Sequence, residues 1–315
     1  MRASTPAQSP VIARRGCAAL ILAALTACVC ASCATMPVHP AATTAATVAS
    51  ASAGLPACPT PRRPAPGPTY VVASQVDIVA LLPPPPAQNS AAEQRDLQAV
   101  LDAQRDAHAR GTIAHAVADA HPSCGRFADV LGRGLTARGD AGALAFLDRA
   151  AGQGAALVGP AKTYWKRTRP FAVSSQVERL ADMAPQASCS VTPNSPQDSS
   201  GKRAKKQADK QSRKQQELAH ASYPSGHATF ATVCAILLAD MVPEKRTQLF
   251  ARARDFGHSR MVVGAHFPSD LAAGRVTGTV AATLMMQNAA FQRDYAVARI
   301  QLRAALGLPA IAPQR

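Results

Sequence analysis

Three short stretches of this sequence set polar groups at spacings suited to chemistry on an anion. In "KTYWKRTRP", 162–170, Lys162 and Arg169 stand seven apart, two helical turns, so both fall on one face. In "YPSGHATF", 223–230, Pro224 and Gly226 break the chain before a helix. Ser225 can cap that helix, its first amides are left for an anion, and His227 stands at the rim. In "GHSRMVVGAHFPSD", 257–270, Arg260 precedes His266 by six residues, and Asp270 follows it by four. On a helical turn that carboxylate can take one ring N–H and leave the other nitrogen's lone pair outward, as a base or nucleophile.

Each stretch alone has a plain reading: a solvated helix face, a Ser-capped helix, a helix start capped by Asp with a satisfied core histidine. Together they hold three cations, two histidines, a carboxylate and a glycine cradle. Phosphoryl transfer uses that inventory, because its transition state spreads charge over three equatorial oxygens and is served by positioning and electrostatics. Arg forks match those oxygens, and Lys adds a point charge. The sequence shows no acidic cluster of the kind that holds two metal ions, so no metal and no cofactor is expected.

The elements that must position these groups read as helices. The 315 residues are 47% hydrophobic and 4% aromatic, and alanine is abundant, a balance that favours helix over sheet. After "YVVASQVDIVALL", 70–82, the run "PPPP", 83–86, lacks amide donors and must be an extended wall or turn. A helical pattern spans 90–120, opening on Ser90 with Glu93 three residues on. Further helices are expected over 227–242, 244–263 and 268–287, the last with Pro268 in its first turn. There is neither strand–helix alternation nor a repeat of fixed period. The expected fold is all-α, a single helical-bundle domain over 70–312.

The ends and insertions read differently. Arg14 and Arg15 precede the apolar run "GCAALILAALTACVCA", 16–31, which is short and rich in small residues, so 1–34 reads as a signal peptide. Alternatively "LTAC", 25–28, resembles a lipoprotein signal that would leave a lipid-anchored Cys28. Residues 35–69 have linker composition. Cleavage after Ala34 would leave Cys58, Cys124, Cys189 and Cys234, which an oxidising compartment could pair in ways the sequence does not specify. Cys234 lies in an apolar helical run and reads as a buried free thiol. The net charge is +15, and "KRAKKQADKQSRK", 202–214, contributes seven basic residues against Asp209; this stretch reads as a solvated loop inserted at about 195–218.

In order, Lys162-x6-Arg169-Pro170, Pro224-Ser225-Gly226-His227 and Ser259-Arg260-x5-His266-x3-Asp270 resemble the three-part signature of the type 2 phosphatidic acid phosphatase superfamily, which includes vanadium haloperoxidases. Within it, "LLPPPP", "SYPSGHAT" and "GTVAATLMMQNAAFQ" resemble bacterial class A non-specific acid phosphatases. One departure is Ala221, where that class usually has Gly before Ser-Tyr. The resemblance implies a metal-independent, periplasmic acid phosphatase acting on phosphate monoesters of nucleotides, sugars or aryl alcohols. It makes His266 the nucleophile that becomes phosphohistidine, Asp270 its orienter, and His227 the acid that protonates the leaving oxygen. Lys162, Arg169, Ser225, Gly226 and Arg260 would hold the phosphate. A homo-oligomer is expected. The alternatives are a vanadate-dependent haloperoxidase, which would be longer, and an integral lipid phosphatase, which would need apolar spans not found after residue 34. A basic nucleic-acid-binding protein is more distant; no motif or aromatic stacking pattern supports it, so no nucleic-acid partner is expected.

Overall fold

A computed structural model of the chain describes residues 67–136, 141–181 and 216–311. The signal-like segment, most of the linker, Cys58, Cys189, Cys28 and the basic run 202–214 lie outside the described residues. Among the described residues eleven helices are numbered in chain order: α1 (Ile78–Leu81), α2 (Ala91–Arg110), α3 (Ile113–Ala118), α4 (Ala128–Leu131), α5 (Ala141–Ala156), α6 (Gly159–Trp165), α7 (Pro170–Val173), α8 (Gly226–Met241), α9 (Arg246–Val262), α10 (Pro268–Met286) and α11 (Ala289–Ala305). Short 3₁₀ turns join some of them, and there is no strand among the described residues. The all-α expectation therefore holds. The helical pattern over 90–120 is two helices, because Gly111 adopts φ 66° and ends α2. That left-handed conformation is the common glycine stop of a helix.

The core is built around α8. Its sequence is apolar on nearly every side, and Ala228–Cys234, Leu237 and Leu238 are all buried. A helix of that kind must be surrounded, and α5, α9 and α10 pack against it. Close packing with α10 depends on small residues: a Cβ at Gly274 would collide with the Ser225 carbonyl and the Ala228 methyl. Thr229 Oγ1 lies 2.9 Å from Ser225 O and 3.0 Å from Gly274 O, tying the two helices at that point. The start of α8 is thus pressed onto the first turns of α10, which brings the second and third motifs together.

Cys234 is not a free thiol. It forms a disulfide with Cys124, 110 positions earlier, with 5.6 Å between Cα atoms. The apolar run does bury Cys234, as its pattern implies, but the same burial brings it against Cys124, itself fully buried in the 3₁₀ turn before α4. The proline run is an extended wall: Tyr223 Oη donates to Pro83 O at 2.6 Å, and Pro85 and Pro86 line a small pocket beside Trp165. Among the described residues no helix is long and apolar enough to cross a membrane.

Candidate active site

His266 sits in the turn between α9 and α10. Gly264, at φ 73°, stops α9, and the amides of Ala265 and His266 return to the Arg260 carbonyl at 2.9 and 3.3 Å. Pro268 then starts α10, with Phe267 as its N-cap. Asp270 occupies the third helical position and accepts from the Phe267 amide at 2.8 Å, which fixes the carboxylate toward the turn. His266 is 2% exposed and Asp270 is fully buried.

The tautomer of His266 follows from its neighbours. Arg169 Nη1 lies 3.2 Å from Nε2, and a guanidinium only donates. Nε2 therefore accepts, and the ring proton sits on Nδ1, which faces Asp270 Oδ2 at 3.4 Å. Arg169 is itself fixed on three sides, donating to Leu218 O, Ala265 O and Ala221 O at 2.7, 2.8 and 3.1 Å. Lys162 Nζ donates to the same Ala221 carbonyl at 2.5 Å. The Ala221 departure thus falls at a residue whose carbonyl, not its side chain, holds the two cations.

His227 lies one residue into α8, after Ser225, whose Oγ accepts from the Ala228 amide at 3.3 Å as the capping pattern implies. Its Nε2 lies 3.0 Å from Ala120 O, so Nε2 carries a proton and Nδ1 is the nitrogen left for other partners. The ring stacks on Phe256 at 6.2 Å between centroids. Ser225 N donates to Asp270 O at 3.0 Å, so the cradle start and the orienting carboxylate share a backbone contact.

The electrostatics are those of an anion site. Burial holds Lys162 well below the usual lysine value, and Arg169 adds to the effect. Burial lowers Arg169 to about 10, and lowers Arg260 to about 9 with repulsion from Arg169. Both histidines are held well below 6.5: burial is the largest cause, followed by Arg169 for His266 and Arg260 for His227. The structure thus brings together all eight residues that the motifs single out.

The depressed histidines fix a pH dependence of folding. On acidification the unfolded chain takes up protons near 6.5, while the folded chain resists until a lower pH. Stability should therefore fall as pH drops below that value, by about 1.4 kcal/mol per pH unit for each histidine. Urea unfolding at pH 7.5 and 5.5 should show the loss, and saturating phosphate should reduce it. Equal or greater stability at pH 5.5 would contradict the assignment.

Two site residues are not evident from the motif pattern. Arg167 reads in sequence as one more charge beside Lys166, yet it is 6% exposed and donates from Nη1 to Asp270 Oδ1 at 2.7 Å. Ser222 Oγ donates to Asp270 Oδ2 at 2.6 Å. The only available signal is position: Arg167 stands two before Arg169, and Ser222 three before Ser225.

One cluster outside the motifs also has ligand-like residues. His115, Asp119 and Asp255 place ligand atoms within 4.8 Å of one another. These carboxylates are committed to Arg252, which donates to both Asp119 oxygens at 2.6 and 3.0 Å and to Asp255 at 3.2 Å. Arg252 donates to the same Asp119 and Asp255 oxygens that face His115, so the cluster reads as an ion-pair network. An open pocket of about 690 Å³ borders the cradle and shares Lys162 and Ala221 with it.

Part of the chain is similar to known proteins. Residues 145–294 match the PAP2 superfamily model. A non-specific acid phosphatase of Salmonella typhimurium is 41% identical over 81 residues, 26% of this chain and 32% of that protein. An acid phosphatase of Zymomonas mobilis is 38% identical over 84 residues, 27% and 32% of the two chains. The non-specific acid phosphatase of Providencia stuartii is 33% identical over 73 residues, 23% and 29%. The aligned stretch spans about a third of the length of these curated relatives. The matched segment, residues 145–294, contains Lys162, Arg169, His227, Arg260, His266 and Asp270, so the likeness to the PAP2 superfamily covers all three motifs.

Proposed function

We propose that the protein is an acid phosphatase that hydrolyses phosphate monoesters through a phosphohistidine on His266, without a metal ion. The observation that carries the reading is the accepting Nε2 of His266, 3.2 Å from Arg169 Nη1 in a pocket of desolvated cations. A phosphoryl group drawn to Arg169, Lys162, Arg260 and the first amides of α8 would lie against that lone pair. Nε2 bonds to phosphorus, the ester P–O bond breaks, and the leaving oxygen takes a proton from His227. Water then attacks the phosphohistidine and gives its proton back to His227, releasing inorganic phosphate and restoring His266. The bordering pocket has room for the remainder of a nucleotide, sugar or aryl phosphate.

Cationic donors do the charge balancing in this scheme. Turnover of an aryl phosphate should therefore survive EDTA, and vanadate should inhibit by imitating five-coordinate phosphorus. Activity lost on chelation and restored by a divalent cation would contradict the metal-free reading.

The same reading includes export to the periplasm. The Cys124–Cys234 disulfide supports it, because such bonds persist in oxidising compartments. Protein recovered from the cell envelope should lack residues 1–34 by mass spectrometry; an intact Met1 there would refute export by cleavage.

A further inference from the structure

The carboxylate that faces His266 belongs to a longer chain of charges. Arg167 lies between two acids: Nη1 donates to Asp270 Oδ1 at 2.7 Å, and Nη2 donates to Asp96 Oδ2 at 3.0 Å. Ser269 closes a ring, its Oγ accepting from Arg167 Nη1 at 2.6 Å and donating to Asp96 Oδ2. The guanidinium also lies over the Phe267 ring at 4.1 Å. The side chains of Arg167, Asp96 and Asp270 are 4%, 13% and 0% exposed, so solvent screens these charges weakly. Asp96 comes from the second turn of α2, far in sequence from every motif.

We infer that Asp96 is a positioning residue for the phosphoryl-transfer step, acting through Arg167 on Asp270 and so on His266. The argument is one of charge count. Arg167 alone would neutralise Asp270 and leave nothing to offset the positive charge that His266 gains when Nε2 bonds to phosphorus. Asp96 takes up the Arg167 charge, so the trio carries a net −1, and Asp270 keeps its negative charge toward Nδ1–H. Asp96 also fixes geometry, because its bonds to Arg167 and Ser269 hold the first turn of α10 from which Asp270 projects.

This inference rests on the phosphatase reading, and the test separates the two. Asp96→Asn preserves shape and removes the charge; Asp96→Glu preserves the charge. Each full-length variant would be assayed on phenyl phosphate, with kcat and KM resolved and with Tm measured. Asp96→Asn should lower kcat about tenfold, the order expected for loss of one weakly screened charge. Its KM should stay within about twofold of the parent, because the phosphate-holding cations are untouched. Asp96→Glu should keep kcat within about threefold. Rapid-quench measurement should place the Asp96→Asn loss in phosphoenzyme formation. A folded Asp96→Asn protein with parental kcat would overturn the inference, as would a tenfold loss in Asp96→Glu at parental Tm, even if Asp96→Asn did not fold. Absence of turnover in the parent protein would instead overturn the phosphatase reading, and this inference with it.

Discussion

Replacing His266 with Ala is expected to abolish turnover on every phosphate monoester, by roughly 10⁴-fold or more, as for other enzymes stripped of a nucleophile. The substituted protein would still hold an anion, since Lys162 and Arg169 keep backbone anchors that do not involve the imidazole. Arg169 is held by three backbone carbonyls and Lys162 by Ala221 O. Loss of kcat with retained affinity for inorganic phosphate is therefore the expected pattern, measured by steady-state kinetics and product inhibition. An alanine variant that keeps more than about a hundredth of the parental kcat would remove His266 from the nucleophile's role.

Replacing His227 with Ala should divide substrates by leaving group. Alkyl phosphates need a proton on the departing oxygen and should lose roughly 10²–10⁴-fold in kcat, the range of general acid catalysis. Nitrophenyl phosphate departs as a stable anion and should be partly spared. The free protein holds His227 unprotonated well below 6.5, through burial first and Arg260 second. A proton donor must be charged when it acts, so the bound phosphate has to supply the missing negative charge. Ala120 O assists, because its bond to Nε2 favours the doubly protonated ring. Two consequences follow. The imidazole signal of His227 should titrate at a higher pH with phosphate or vanadate bound than without. Turnover should be best on the acid side of neutrality and fall as His227 loses its proton. An equal loss on alkyl and nitrophenyl esters would remove His227 from the proton-transfer role.

The candidate site is legible in the sequence because its motif residues stand at short spacings. Asp270 and His266 are four apart on the entry to one helix, and Ser225 and Gly226 adjoin His227, so local geometry carries most of the information. The helical fold was legible for a related reason: "HATFATVCAILLADMV" is apolar all round, and Pro268 marks a helix start. What stayed hidden depends on contacts across the chain. Arg167 meets Asp270 across 103 positions and Asp96 across 71, and nothing local distinguishes it from the exposed Lys166 beside it. Ser222 meets Asp270 across 48 positions. The free-thiol expectation for Cys234 fails because burial in an apolar helix suits a free thiol and a disulfide equally well, and its partner is 110 positions away. The split at Gly111 shows the reverse weakness: the amphipathic pattern continues through 90–120, but one left-handed residue turns the chain.

The most direct test of the account is chemical trapping of the phosphoenzyme. The parent protein and the His227→Ala variant would be mixed with ³²P-labelled substrate and quenched without acid, because a phosphorus–nitrogen bond is lost in acid. The label would then be mapped by proteolysis and mass spectrometry. Both proteins should carry it on the imidazole of His266, more heavily in His227→Ala if that ring also activates the water that clears the intermediate. Label on His227 in a His266→Ala protein, with none on His266 in the parent, would contradict the assignment of His266 as the nucleophile.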